Sequence, residues 1–145
     1  SLSYAEITEL YAMRAVLEST VARMAALAAS SIELEGLEML NAQMGAATDD
    51  ADERYRLNNQ FHQALLDVAK NRFLTRAMDS VEKTLLILGP STLSESSRAQ
   101  EAVNEHARVL DAIRVRDADT AEREMRHHIE AAHRVRLQQL RERQR

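Results

Sequence analysis

The 145-residue chain carries 19 basic and 23 acidic side chains, a formal charge of -4, and no cysteine. That balance argues against this segment binding nucleic acid by itself, the missing thiols exclude disulfides and thiolate metal sites, and no apolar run is long enough to cross a bilayer. Only 3 glycines, 1 proline and 3% aromatics among abundant Ala, Leu, Glu, Arg and Met predict one all-α domain over 1–145, an antiparallel bundle of six or seven helices with no strand.

The first helix is expected from Tyr4 to Ser30, with an apolar stripe through Leu10, Leu17, Val21, Met24 and Ala28. Its many alanines permit close contact with a second copy of the chain or with another helix of the same bundle. Ser30-Ser31 offers an N-cap, and Glu33 and Glu35 suit the positive end of a second helix carrying Ile32, Leu37, Leu40 and Met44 to about Gly45. The acidic turn Thr48–Asp52 starts a third helix through Tyr55, Leu57, Phe61, Leu65 and Val68, with Asn71 as its expected C-cap. A fourth helix through Leu74, Met78, Val81, Leu85 and Leu88 stops at Gly89-Pro90. After a polar loop over Ser91–Ser97, a fifth helix holds Val103, His106, Leu110 and Ile113 and ends near Arg116. Asp119 or Thr120 is the expected cap of the last helix, which holds Met125, His128, Ala132 and Val135. The arginines from Arg134 to Arg145 read as a solvated helix end, where cations suit the dipole.

Three of these stripes contain an imidazole. Asn58, His62, Leu65 and Ala69 share one helical face, as do Val103, His106, Leu110 and Ile113, and Met125, His128 and Ala132. Brought together, three neutral imidazoles and an amide oxygen suit a late first-row divalent ion, zinc or nickel above all. The competing reading makes each a hydrogen-bonded core histidine. Arg14 is a second anomaly, a guanidinium on the line Leu10, Arg14, Leu17, Val21. It suits a carboxylate ligand, or a pair with Glu18 one turn along the same helix. Glu124–His127 and Glu130–His133 both read as E-x-x-H, but a di-iron bundle needs such motifs on two helices plus two more carboxylates.

The chain also resembles the FCD domain, the effector-binding domain of GntR-family transcription regulators. The resemblance runs through Met13-Arg14-Ala15-Val16-Leu17-Glu18, then Asn58-Asn59-Gln60-Phe61-His62-Gln63-Ala64-Leu65 and Ala69-Lys70-Asn71. It continues in Glu105-His106-Ala107 through Asp111-Ala112-Ile113 and Asp117, and in Met125-Arg126-His127-His128-Ile129. The metal-binding branch of that family uses one Asp and three His. The resemblance places the histidines at His62, His106 and His128, and the Asp position falls on Asn58, a neutral donor that leaves more positive charge at the metal. It further implies a bacterial, cytoplasmic homodimer that senses a small organic acid. DNA would be bound only through a winged helix-turn-helix domain that these residues do not include.

Three functions follow as expectations. The leading one is a non-enzymatic sensor domain binding a divalent metal and a small carboxylate effector, with Asn58, His62, His106 and His128 on the metal and Arg14 on the effector. The second is a small metalloenzyme activating water, for which Glu105 and Glu101 are the candidate bases. The third is a dimerisation bundle without a ligand.

Overall fold

Short polar side chains set most of the helix ends. Ser3 and Ser30 each accept the backbone N–H of a glutamate three residues on, Glu6 and Glu33, whose carboxylate accepts the serine N–H in return. These reciprocal caps start α1 (Tyr4–Ala28) and α2 (Ser31–Ala46). Asp50 caps α3 (Ala51–Ala69) by accepting from Glu53 N at 3.0 Å. Helix α4 (Arg72–Leu85) runs into a 3-10 turn, Leu86–Leu88, and is followed by α5 (Ser96–Arg114) and α6 (Ala118–Arg143). The computed structural model describes residues 1–89 and 91–143. Among them are six α-helices and no strand. Pro90 of the expected helix stop and Arg145 of the basic end lie outside the described residues.

Helices α1 and α6 run antiparallel through the centre. Arg23 pairs with Asp119 and Glu122 at one end of the contact, and the Tyr11 ring stacks on His133 at the other. Ile7, Tyr11, Ala15, Ala22, Ala25 and Ala26 of α1 are buried in one core with Ala121, Met125, Ile129 and Ala132 of α6. Two expectations change here. The buried face of α1 lies about one residue away from the anticipated stripe: Leu10, Leu17 and Met24 are only partly buried, whereas Ala22, Ala25 and Ala26 are fully enclosed. Small side chains let α6 approach closely, so the alanines serve internal packing. On α2, Ile32 falls outside the core at 80% exposure.

Two caps also differ from expectation. Lys70 takes the left-handed conformation (φ 54°) that ends α3, while Asn71 starts α4 by accepting from Phe73 N and Leu74 N. Asp117 caps α6 in place of Asp119 or Thr120, accepting from Thr120 N at 3.1 Å.

One buried cation fastens the two loops next to the functional end. Arg54 on α3, 4% exposed, donates to Ala47 O and Thr48 O after α2 and to Leu93 O and Ser94 O before α5. Carbonyl oxygens satisfy its planar fork where a lone carboxylate would leave donors over.

Candidate metal centre and adjoining cavity

Helices α3, α5 and α6 bring His62, His106 and His128 together, each offering a ring nitrogen within 4.8 Å of the other two. His106 is fully buried and packs flat on Phe61, ring centroids 4.1 Å apart. His128 is 4% exposed, and the His62 side chain 11%. The helical spacing read from sequence therefore does what it implied: three imidazoles from three helices meet in one interior.

The outer nitrogens fix the tautomers. His62 Nδ1 lies 2.7 Å from Glu18 Oε1 and His128 Nδ1 lies 2.6 Å from Glu105 Oε1. A carboxylate can only accept, so each Nδ1 carries the proton. His106 Nδ1 lies 3.0 Å from Asn41 Oδ1, whose amide nitrogen is committed to Val103 O; it too must donate. All three Nε2 atoms are thus left as lone-pair donors. Such outer partners orient metal-binding histidines and raise their basicity.

The inner atoms then lack partners of their own. His106 Nε2 and His128 Nε2 face each other at 3.2 Å with no proton between two neutral rings. That is the separation of two nitrogens bound about 2.0–2.1 Å from one ion. His62 Nε2 and Asn58 Oδ1 are buried with no hydrogen-bond partner, although a buried polar atom ordinarily has one. The donor set fits a divalent cation. Asn58, one turn before His62 on α3, has the free oxygen for a fourth position.

Burial favours the neutral form of His106 and His128. Burial lowers the His106 pKa well below its usual 6.5, and burial, against the pull of Glu105, lowers that of His128 to about 4. Burial alone would raise Glu18 and Glu105, but the Arg14 charge and the His62 hydrogen bond hold Glu18 far below the carboxylate range. His128 and Arg98 likewise hold Glu105 at about 2. Arg98 grips Glu105 with two hydrogen bonds of 2.9 and 2.8 Å. Each charged outer partner is itself neutralised by an arginine, Arg14 for Glu18 and Arg98 for Glu105.

Sequence reasoning missed Glu18, Asn41 and Arg98 as supports of the site. Glu18 had a signal, since it shares a helical face with Arg14. Arg98 had one too, since it lies two turns before Glu105 on α5; Asn41 had none, because it reaches His106 only across helices. Glu105, considered as a general base, stands behind His128 on the side away from Nε2, and Glu101 is 68% exposed and paired with Arg98. Of the E-x-x-H histidines, His127 is 60% exposed beside Glu124 and His133 stacks on Tyr11.

Beside the histidines lies a cavity of about 390 Å³ whose wall includes Arg14, Glu18, Asn58 and His62. Arg14 makes the pair with Glu18 that its spacing anticipated. Its Nε donates to Glu18 at 2.6 Å, and its side chain, 15% exposed, still forms part of the cavity wall.

Comparison with known proteins agrees with this architecture. The family profile described as the FCD domain matches residues 9–131. The chain is 27% identical over 129 residues to the HTH-type transcriptional regulator LutR of Bacillus subtilis (strain 168), covering 86% of this chain and 59% of LutR. It is 25% identical over 132 residues to the uncharacterized HTH-type transcriptional regulator YdhC of the same organism, covering 88% and 58%. The chain thus spans less than two thirds of the length of either relative. The fold is similar to that of E. coli McbR/YncC, with a TM-score of 0.81 at 16% identity over 97% of this chain and 68% of that one. No helix among the described residues is long and apolar enough to cross a membrane.

Proposed function

The chain belongs to the FCD domain family, and from that premise we propose that it is the sensor portion of a bacterial, cytoplasmic GntR-type transcription regulator. In this reading it holds a divalent metal and binds a small carboxylate effector. The observation that carries the reading is the convergence of three imidazole nitrogens beside a cavity whose wall includes His62 and Asn58, the latter with an unpartnered Oδ1. Zinc or nickel suits a nitrogen-rich, thiolate-free set. When bound, the metal supplies a Lewis-acidic positive centre for an anionic oxygen. His62, His106 and His128 hold it, Glu18, Asn41 and Glu105 keep their tautomers fixed, and Arg14 offers a guanidinium to the effector carboxylate.

An effector changes DNA affinity only by binding one arrangement of the regulator better than another. DNA contact belongs, in this proposal, to a separate domain of a longer protein, and the working unit is a homodimer. Catalysis is the weaker reading, because neither Glu101 nor Glu105 stands where it could take a proton from a metal-bound water. The test is elemental analysis after supplementation with zinc or nickel, followed by thermal-shift screening of small carboxylates on the loaded domain. One metal per chain, lost in His128→Ala, and a raised melting temperature with carboxylates are expected. No stoichiometric metal, with His128→Ala indistinguishable from wild type, would return the histidines to a purely structural role.

A further inference from the structure

Helix α4 turns one carboxylate into the cavity and gives it no partner. Met78, Glu82 and Leu85 stand at i, i+4 and i+7 and line the cavity together, which places Glu82 on the inward face of α4. Met78 is buried, and Glu82 and Leu85 are partly so. The other ionised side chains of the lining are engaged. Arg14 pairs with Glu18 at 2.6 Å, Lys83 pairs with Asp79 at 2.8 Å, and Arg136 donates to the Tyr11 hydroxyl and to Gln139. Among the described residues, Glu82 is the one charged side chain of the cavity wall with neither an ion pair nor a hydrogen bond.

Solvent can serve this carboxylate while the cavity is open, but an effector that fills the cavity displaces it. A bare hydrocarbon there would leave a desolvated charge without a partner, at a cost that its own contacts do not offset. A hydroxyl would supply a hydrogen bond and no charge. An ammonium supplies both, in a charge-assisted bond about twice as strong as a neutral one. The surroundings favour the ammonium. Burial and the Glu18 charge push the Glu82 pKa up, Asp79 adds to the push, and His62 and Arg14 oppose it only in part. Glu82 thus lacks positive charge nearby, and Arg14 and Lys83 are already committed to other carboxylates.

We propose that the effector is an amino acid, bound with its carboxylate at the histidine end of the cavity and its ammonium at Glu82. This rests on the metal-and-carboxylate reading above and narrows it. Each end of such a zwitterion meets its opposite charge: the carboxylate meets Arg14 and the metal that the histidines hold, and the ammonium meets Glu82. Glu82 is the specificity-determining residue. A carboxylic acid without an amino group is disfavoured because it leaves this carboxylate unpaired, the same logic by which a polar site rejects an analogue lacking the matching group.

The test uses the zinc-loaded chain and isothermal titration with alanine, β-alanine, 4-aminobutyrate and 5-aminovalerate. Each is compared with the same acid lacking the amino group and with its hydroxy analogue. At least one amino acid should bind about tenfold or more tightly than both of its counterparts. The counterparts keep the carboxylate and the chain length, so the difference isolates the ammonium without any substitution. Glu82→Gln should remove the preference while leaving binding of the unsubstituted acids and zinc content intact, and Glu82→Asp should retain part of it. Heat from chelation of the ion does not need Glu82 and so cannot mimic this pattern. Unsubstituted acids binding as tightly as amino acids throughout the series, or hydroxy acids binding more tightly than either, would overturn the proposal while leaving a carboxylate sensor standing. A preference that survives unchanged in Glu82→Gln would overturn the role of Glu82. Failure of every acid to bind the zinc-loaded chain would overturn the effector reading itself, and this inference with it.

Discussion

Asn58 is the residue at which this chain departs from the Asp-and-three-His pattern it resembles, and its amide oxygen is buried without a partner. An amide contributes a dipole where a carboxylate contributes a full charge. Asn58→Asp should therefore tighten zinc or nickel binding by about tenfold or more, measured by competition with a chelator of known affinity. The same substitution lowers the positive charge offered to an effector, so carboxylate binding should weaken as metal binding strengthens. Behind the candidate ligands, Glu105 fixes the His128 tautomer at 2.6 Å. Glu105→Gln leaves the shape but lets the amide turn its NH2 towards His128, and metal affinity should fall about 10- to 100-fold. Equal metal affinity in the variant would show that His128 needs no carboxylate to orient it.

At the scale of elements, the helices are held at their ends by interactions of known size. Ser30→Ala removes the reciprocal cap of α2 and should cost about 1 kcal/mol, read as a lower urea midpoint with an unchanged slope. Arg54→Met is a larger perturbation. It strips hydrogen bonds from Ala47 O, Thr48 O, Leu93 O and Ser94 O, and leaves buried carbonyls to find other donors. A loss of about 3 kcal/mol or more is expected by the same measurement. Because Ser91 and Thr92 of the fastened loop line the cavity, Arg54→Met should also weaken carboxylate binding without touching a metal ligand.

The whole molecule should answer to pH through its buried histidines. Unfolded, His128 takes up a proton near its ordinary 6.5; folded, it does so only near 4. Below pH 6.5 the unfolded state thus binds more protons, so this contribution to stability is present above 6.5 and is lost as the pH falls towards 4. His106 acts in the same direction. Glu18 and Glu105, whose pKa values are depressed in the folded state, stabilise it above their ordinary 4.5 and withdraw that support only as the pH falls further. In chelator, the melting temperature should decline across pH 6.5 to 4 and again below 4.5, and His128→Asn should flatten the first decline. A melting temperature constant from pH 7 to 4 would mean these histidines are not held neutral. Light scattering at high micromolar concentration tests the homodimer, which a monomeric result would remove for this chain.

Composition and helical periodicity were enough to identify the all-α fold, to separate most of the helices and to select His62, His106 and His128. These features are local: 3.6 residues per turn decides which side chains share a face, and a polar ring on an apolar face stands out wherever the chain goes. The serine cap before α2, with Glu33 in the first turn, was legible for the same reason. Other features waited for tertiary structure. The inward face of α1 was misjudged by about one residue because alanine carries too little apolar surface to mark a stripe, yet only alanine lets α6 come so close. Asn71 and Asp117 cap the following helices because connections of two or three residues leave one short polar side chain to serve one end or the other. Asn41 reaches the candidate metal centre, and Arg136 reaches Tyr11, through contacts between residues far apart in sequence, 65 between Asn41 and His106 and 125 between Tyr11 and Arg136. No pattern along one helix encodes such a partner; the packing of α1 on α6 and of α2 on α5 decides it.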